Sequence, residues 1–321
     1  MKRLIAILWT IIYSTVLLSN ESKITISFGS CYKQKDDPYV FEHINSNNPD
    51  GFFWLGDIVY ADHFSPERRM KAYQTIKEKQ AYDDLASNTI IDGTWDDHDY
   101  AYNNADHRYR YKKESKIALL NFLEFKESHP VYSREGIYHK RNVSKKHISV
   151  DTFFLDTRTF MHKCKNSILG ETQWIWLEDQ IKKANSDLII IASSLNIFSP
   201  VSPFLFWIEG WHKFKKDKKR LIELLDSTRK RIIFFSGDRH YSDLSTYVSK
   251  KGKKIFEFMS SGMSKTSEPL KSKHRIKPAI EELNFSNITV MKTSENKIQI
   301  RHEIFHAKEG NLLQENILTI Q

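Results

Sequence analysis

An α/β fold follows from three features of the sequence. Short apolar runs of strand length alternate with stretches whose apolar residues recur at helical spacing. The runs are rich in β-branched and aromatic residues. Each run also ends in a polar cluster, several carrying Asp, Cys, Arg or His. That edge is where open α/β sheets bind their ligands.

Taken in order, residues 24–28 end at Gly29-Ser30-Cys31, and residues 51–55 at Gly56-Asp57. Residues 88–93 end at Thr94-Trp95-Asp96-Asp97, and residues 148–155 at Asp156-Thr157-Arg158. Residues 188–192 end at Ser193-Ser194, and residues 231–235 at Ser236-Gly237-Asp238. Helical spacing covers residues 66–85, 109–125, 171–184 and 215–225. After residue 245, segments 254–260, 288–292 and 297–305 read as strands that extend or close a sheet in antiparallel fashion.

The chain has 321 residues, of which 40% are hydrophobic and 28% charged. That composition builds a sizeable core and excludes a wholly disordered chain. Two cysteines exclude a multi-disulfide scaffold and a four-thiolate zinc site. The formal charge of +9 favours anionic partners without choosing among them. Met1-Lys2-Arg3, an apolar run to Leu18 and polar Ser19-Asn20 form the pattern of a secretory signal. Residues 1–20 are therefore read as a signal peptide and 22–321 as the folded domain. The expected location is secreted or periplasmic, or membrane-tethered if the leader is kept. No later run is apolar and long enough to span a bilayer.

Three clusters carry chemistry. Gly56-Asp57 allows a sharp turn that projects a carboxylate, with Tyr60 three residues on. Asp96, Asp97 and Asp99 flank His98, with Asn103 just beyond, and such crowding of acids calls for a cation. Asp238 and His240 are two apart on what reads as an extended loop, a spacing that suits one metal. Neither a Gly-x-Ser-x-Gly elbow nor a phosphate loop is present. The basic run from Lys215 to Arg220 reads as a solvated helix start, and His212, His302 and His306 as ordinary surface or capped histidines.

Together, Phe28-Gly29-Ser30-Cys31, Gly56-Asp57 with Tyr60-Ala61-Asp62, Trp95 to Tyr100, Leu155-Asp156-Thr157-Arg158 and Ser236-Gly237-Asp238-Arg239-His240 resemble the alkaline phosphatase D (PhoD-type) metallophosphatase family. The motifs stand in the family's order over roughly residues 24–265. The resemblance implies a four-layer α/β/β/α sandwich of two mixed sheets, with ferric iron beside calcium. It implies Cys31, Asp57 and Tyr60 as iron ligands, with Asp57 bridging. Asp96 (or its neighbour Asp97), Asn103, Asp238 and His240 would complete the cluster on the calcium side. Arg158 would hold the substrate phosphate, with His98 and Asp97 as further catalytic candidates. Cys31 would then be a ligand; if iron is lost, pairing with Cys164 competes. The chain departs from the family pattern at Ser264-Lys265, Asp243 and Asn104.

The function expected is an exported phosphoesterase acting on phosphomono- or phosphodiesters through attack by a metal-activated hydroxide. No specific nucleic-acid recognition and no stable membrane span after leader cleavage are expected. The alternative is a non-catalytic surface protein that binds anionic polymers and keeps a structural calcium site.

Overall fold

The structure is a computed structural model, described here for residues 22–62, 65–198 and 208–320. The proposed leader, residues 1–20, lies outside the described residues, among which no helix is long and apolar enough to cross a membrane.

In chain order the elements are β1 (Lys23–Gly29), α1 (Tyr39–Ser46), β2 (Gly51–Leu55), α2 (Pro66–Lys77), α3 (Gln80–Asn88), β3 (Ile90–Thr94), α4 (Asp97–Tyr100) and α5 (Lys112–Phe122). Then follow β4 (His139–Lys145), β5 (Ile148–Phe154), α6 (Gly170–Lys183), β6 (Leu188–Ala192), α7 (Lys215–Ser227) and β7 (Ile232–Ser236). The chain closes with β8 (Ser242–Val248), β9 (Lys254–Ser260), β10 (Asn284–Lys292), β11 (Ile298–His306) and β12 (Leu312–Ile320).

These strands form two six-stranded sheets, β12-β11-β10-β1-β2-β3 and β4-β5-β6-β7-β9-β8. The apolar runs are continuous because both faces of the central strands are buried. In β6, Leu188, Ile190 and Ala192 face the opposite sheet, while Ile189 and Ile191 face helices. Ile26, Phe28, Phe53 and Leu55 of the first sheet meet Phe154, Ile190, Phe235 and Phe258 of the second. Phe41, Tyr73, Leu85 and Leu119 carry α1, α2, α3 and α5 onto Phe52 and Trp54. Trp174 and Leu221 carry α6 and α7 onto Phe153 and Phe234. The result is the four-layer α/β/β/α sandwich of mixed sheets.

Strands β1, β2 and β3 run parallel, as do β5, β6, β7 and β9. Their C-terminal ends gather at one end of the sandwich. Thr94 Oγ1 donates to the Leu155 carbonyl at 2.6 Å, tying the end of β3 to the end of β5.

Several elements differ from the sequence reading. The stretch 66–85 is two helices, α2 and α3. Its buried residues step from Ile76 to Ala81, five residues rather than three or four, so a straight helix would turn one set away from the sheet. Asp97 to Tyr100 form a helical turn, to which the sequence reading assigned no element. β4, β8, β12 and α1 carry no clear periodic signal: β4 is HKRNVSK, an edge strand masked by charge. His302, expected at the surface, is fully buried, with its ring 4.9 Å from Phe258. Burial pushes its imidazole down to about 3.

Candidate functional site

Two glycines let the strand ends converge. A Cβ on Gly56 (φ +90°) would lie 2.5 Å from Asp96 Cβ and 3.0 Å from Ser194 Cβ, so the ends of β2, β3 and β6 meet there. A Cβ on Gly237 would lie 2.5 Å from Ser30 Oγ and 2.7 Å from the Leu55 carbonyl, which brings β7 against β1 and β2. Around this junction Cys31, Asp57, Asp238 and His240 hold left-handed φ values of 61°, 50°, 72° and 59°. Such backbone is costly for residues with a Cβ, and it concentrates at functional sites.

The side chains form two trios that share Asp57. Ligand atoms of Cys31, Asp57 and His240 lie within 4.8 Å of one another, as do those of Asp57, Asp97 and His98. Cys31 Sγ lies 3.5 Å from Asp57 Oδ2 and 3.2 Å from Ser261 Oγ. Tyr60 OH donates to Asp57 Oδ2 at 3.2 Å. Asp57 Oδ1 and Asp96 Oδ2 are buried and have no hydrogen-bond partner among the described residues. Asp57, Asp97, His98, Asn103, Asp238 and His240 line a cavity of about 650 Å³. Cys31, Tyr60, Asp96 and Arg158 stand behind that lining.

Of the two adjacent acids, Asp97 enters a trio, whereas Asp96 faces inward. Asp96 Oδ1 accepts from Arg158 Nε at 2.5 Å and from Ser194 Oγ at 2.8 Å. Arg158 is fully buried. Its Nη1 donates to Glu209 Oε2 at 2.5 Å and to the Ala105 carbonyl at 3.3 Å. Its Nη2 has no hydrogen-bond partner among the described residues and lies 4.0 Å from Asp97 Oδ1. His98 pairs with Asp62 and packs 4.3 Å from the Tyr60 ring. Asp238 and His240 do not sit on an extended loop: both are left-handed and flank Arg239. Cys31 is buried and Cys164 exposed, and both are free thiols.

Negative charge is in excess here. Burial, reinforced by Asp97, Asp96 and other acids, pushes Asp57 well above the usual carboxylate range. Burial raises Asp96 to about 8, although Arg158 opposes it. Burial raises Asp99 to about 7 and Asp238 to about 6. For Asp97 burial acts upward, but Arg158 and His98 hold it below the usual value. Burial and Asp57 push the Cys31 thiol up. Burial lowers His240 to about 4, which leaves its imidazole neutral and able to ligate. An orphaned carboxylate oxygen, a buried thiol, a phenol and a neutral imidazole fit a cation cluster: thiolate and phenolate suit ferric iron, carboxylates suit calcium.

Sequence reasoning passed over several residues. Asp99 accepts from the backbone N–H of Ile58, Val59 and Asp96 at 2.9–3.1 Å, stapling the β2 turn to α4. Asp156 accepts from Trp95 Nε1 at 2.9 Å and from the Arg158 and Thr159 N–H groups at 3.0 and 2.9 Å. Both acids lie in the motifs, but their bracing role needs coordinates. Glu209 also pairs with Lys163 at 3.2 Å, and no sequence signal marks it. The basic run opens α7 with Lys215, Lys216 and Lys219 exposed, as a solvated helix start, and only its inner members are engaged. Arg220 pairs with Glu171 and Glu178 at 2.8 and 2.7 Å, and Lys218 Nζ sits 5.8 Å from the Phe198 ring.

A family model described as PhoD-like phosphatase matches residues 26–306. A solved structure of PhoD superposes with a TM-score of 0.69 at 16% identity, covering 92% of this chain and 68% of its own. Purple acid phosphatase PPD1 from yellow lupin (Lupinus luteus) seeds superposes with a TM-score of 0.65 at 9% identity, over 92% of this chain. The chain spans 54% of that lupin protein's length. No curated protein matches the chain by sequence.

Proposed function

The chain belongs to the PhoD-like phosphatase family and is a phosphoric ester hydrolase, and from that premise we propose an exported, metal-dependent enzyme that hydrolyses phosphomono- or phosphodiesters. The observation that carries metal dependence is the pair of trios meeting at Asp57, whose Oδ1 is buried without a hydrogen-bond partner among the described residues. Cys31, Tyr60 and Asp57 would hold ferric iron. Asp57, Asp97 or Asp96, Asn103 and Asp238 would hold calcium, while His240, which shares a trio with Cys31 and Asp57, would stand with the iron rather than on the calcium side. When bound, the cations supply Lewis acidity, making water nucleophilic near neutral pH and neutralising charge on the transferring phosphoryl group.

The chain's own residues do the rest. Asp99 and Asp156 fix the turns that carry the donors. Arg158 holds Asp96 and turns Nη2 toward Asp97, adding positive potential behind the reacting phosphate. His98 lines the cavity. Burial alone would lower its pKa, but the hydrogen bond to Asp62 and the charge of Asp97 raise it. That bias toward the protonated form suits His98 to hand a proton to the leaving alcohol. Export rests on the leader pattern of residues 1–20.

The test is turnover of a nitrophenyl phosphate monoester and a bis-nitrophenyl diester by metal-loaded protein, with iron and calcium measured on the same sample. Hydrolysis that disappears on chelation is expected. Loaded protein that cleaves neither ester removes the proposal. Purple or brown colour accompanies ferric iron on Cys31 and Tyr60, and its absence from iron-loaded protein removes those two ligands.

A further inference from the structure

We propose that Arg239 clamps the anionic phosphate of the substrate through the Nε–Nη2 edge of its guanidinium. The inference rests on the phosphoesterase reading of the same cavity and names the group that grips the anion. Arg239 lines that cavity beside Asp238, His240 and Tyr241. It is only 8% exposed, yet among the described residues neither Nε nor Nη2 has a hydrogen-bond partner. Those two nitrogens share one edge of the planar group. Their parallel N–H donors match two oxygens of a phosphate.

Leaving a buried charged donor pair unmatched is costly, so the edge calls for a ligand. An arginine does not ligate cations in proteins, because it stays protonated and has no acceptor. The ligand is therefore an anion, and the anion that a phosphoesterase cavity receives is phosphate. Asp238 is the adjacent residue, yet no hydrogen bond joins it to the guanidinium among the described residues. The other arginine of the site differs. Arg158 has its fork split between Asp96 and Glu209, which leaves Nη2 alone unpartnered.

The backbone holds Arg239 in place. Ser267 Oγ donates to its carbonyl at 2.7 Å, and the Ser267 N–H donates to the His240 carbonyl at 2.9 Å. Ser261 Oγ accepts from the His240 N–H at 3.0 Å. With left-handed residues on both sides, the side chain is presented from a short, pinned turn rather than from a free loop.

The experiment compares metal-loaded wild type with Arg239→Lys, which keeps the charge and loses the fork, and Arg239→Met, which loses both. Ester KM and the inhibition constant for inorganic phosphate should rise about tenfold or more, further in Met than in Lys. The change in kcat should be smaller, and metal content and Tm should stay as in wild type. Wild-type KM and phosphate inhibition in both variants overturns the clamp while leaving the phosphoesterase reading intact. If Arg239→Met fails to fold, Arg239→Lys decides. If wild type cleaves neither ester, the functional reading falls and calorimetry with inorganic phosphate decides the clamp. Phosphate binding lost in the variants sustains it; equal binding, or none in wild type, overturns it.

Discussion

Two buried acidic clusters in this molecule have opposite electrostatic outcomes. At the edge of the sandwich, Asp92 of β3 accepts from His139 Nε2 at 2.7 Å and Arg141 Nε at 2.5 Å, both from β4 in the other sheet. The Gly93 N–H adds a bond of 2.8 Å. Burial acts to raise Asp92, but His139 and Arg141 prevail and hold it low. In the cavity, Asp57 and Asp96 are just as enclosed and are pushed up, Asp96 even though Arg158 pairs with it, and the partly exposed Asp238 is pushed up as well. What separates the two places is the balance of charge: one acid between His139 and Arg141 at the edge, several acids around Arg158 in the cavity. A buried acid matched by the protein's own cations pins two sheets together. A buried acid left in deficit asks for cations from outside.

The largest effects should come from removing one acid of each kind. Asp57→Asn should lower ester turnover by at least about a hundredfold and strip metal, while the metal-free protein stays as stable as wild type, because a repelling charge has gone. Unchanged metal content with near-normal turnover would break the contrast. Asp92→Asn should do the reverse and lower stability by about 3–5 kcal/mol, read from urea unfolding, with turnover retained in the folded fraction. Loss of turnover at unchanged stability would show that the edge cluster is not structural.

The next effect is on pH. A carboxyl whose folded pKa is raised stabilises the fold while protonated. That stability is lost as pH rises through the folded value, here about 6 for Asp238, about 7 for Asp99 and about 8 for Asp96. Asp92 has the opposite sign, since its contribution is present above the ordinary Asp range and fades on acidification. Melting with and without chelator should therefore give a Tm gap wider at pH 8 than at pH 5. A gap independent of pH would mean that the cavity acids are already compensated.

The smallest effect concerns Asp62, which is partly exposed. Asp62→Asn removes the main partner that raises His98. The alkaline limb of kcat/KM should move to lower pH, with little change at the optimum. An unmoved limb would take the proton-donor role away from His98.

Much of the fold was legible because the central strands are buried on both faces, so β2, β6 and β9 stand out as apolar runs. Edge strands β4 and β12 were not legible, since half of each faces water and carries charge. The candidate donor set could be read by residue type in chain order: Cys31, Asp57, Tyr60, the Asp96–Asp99 group, Asn103, Asp238 and His240. Glu209 could not, because its marks are contacts with Arg158 and Lys163, 51 and 46 residues away.

Residue types and their placement at strand ends came from the chain alone, because hydrophobic periodicity and turn chemistry are local. Which carboxylates are neutralised, which arginine edge stays open and which of Asp96 and Asp97 faces the cavity were decided only by the tertiary structure. Those properties depend on charges brought together across 62 residues between Asp96 and Arg158, or 230 between Cys31 and Ser261. Coulombic and hydrogen-bond energies depend on distance in space, which spacing along the chain does not encode.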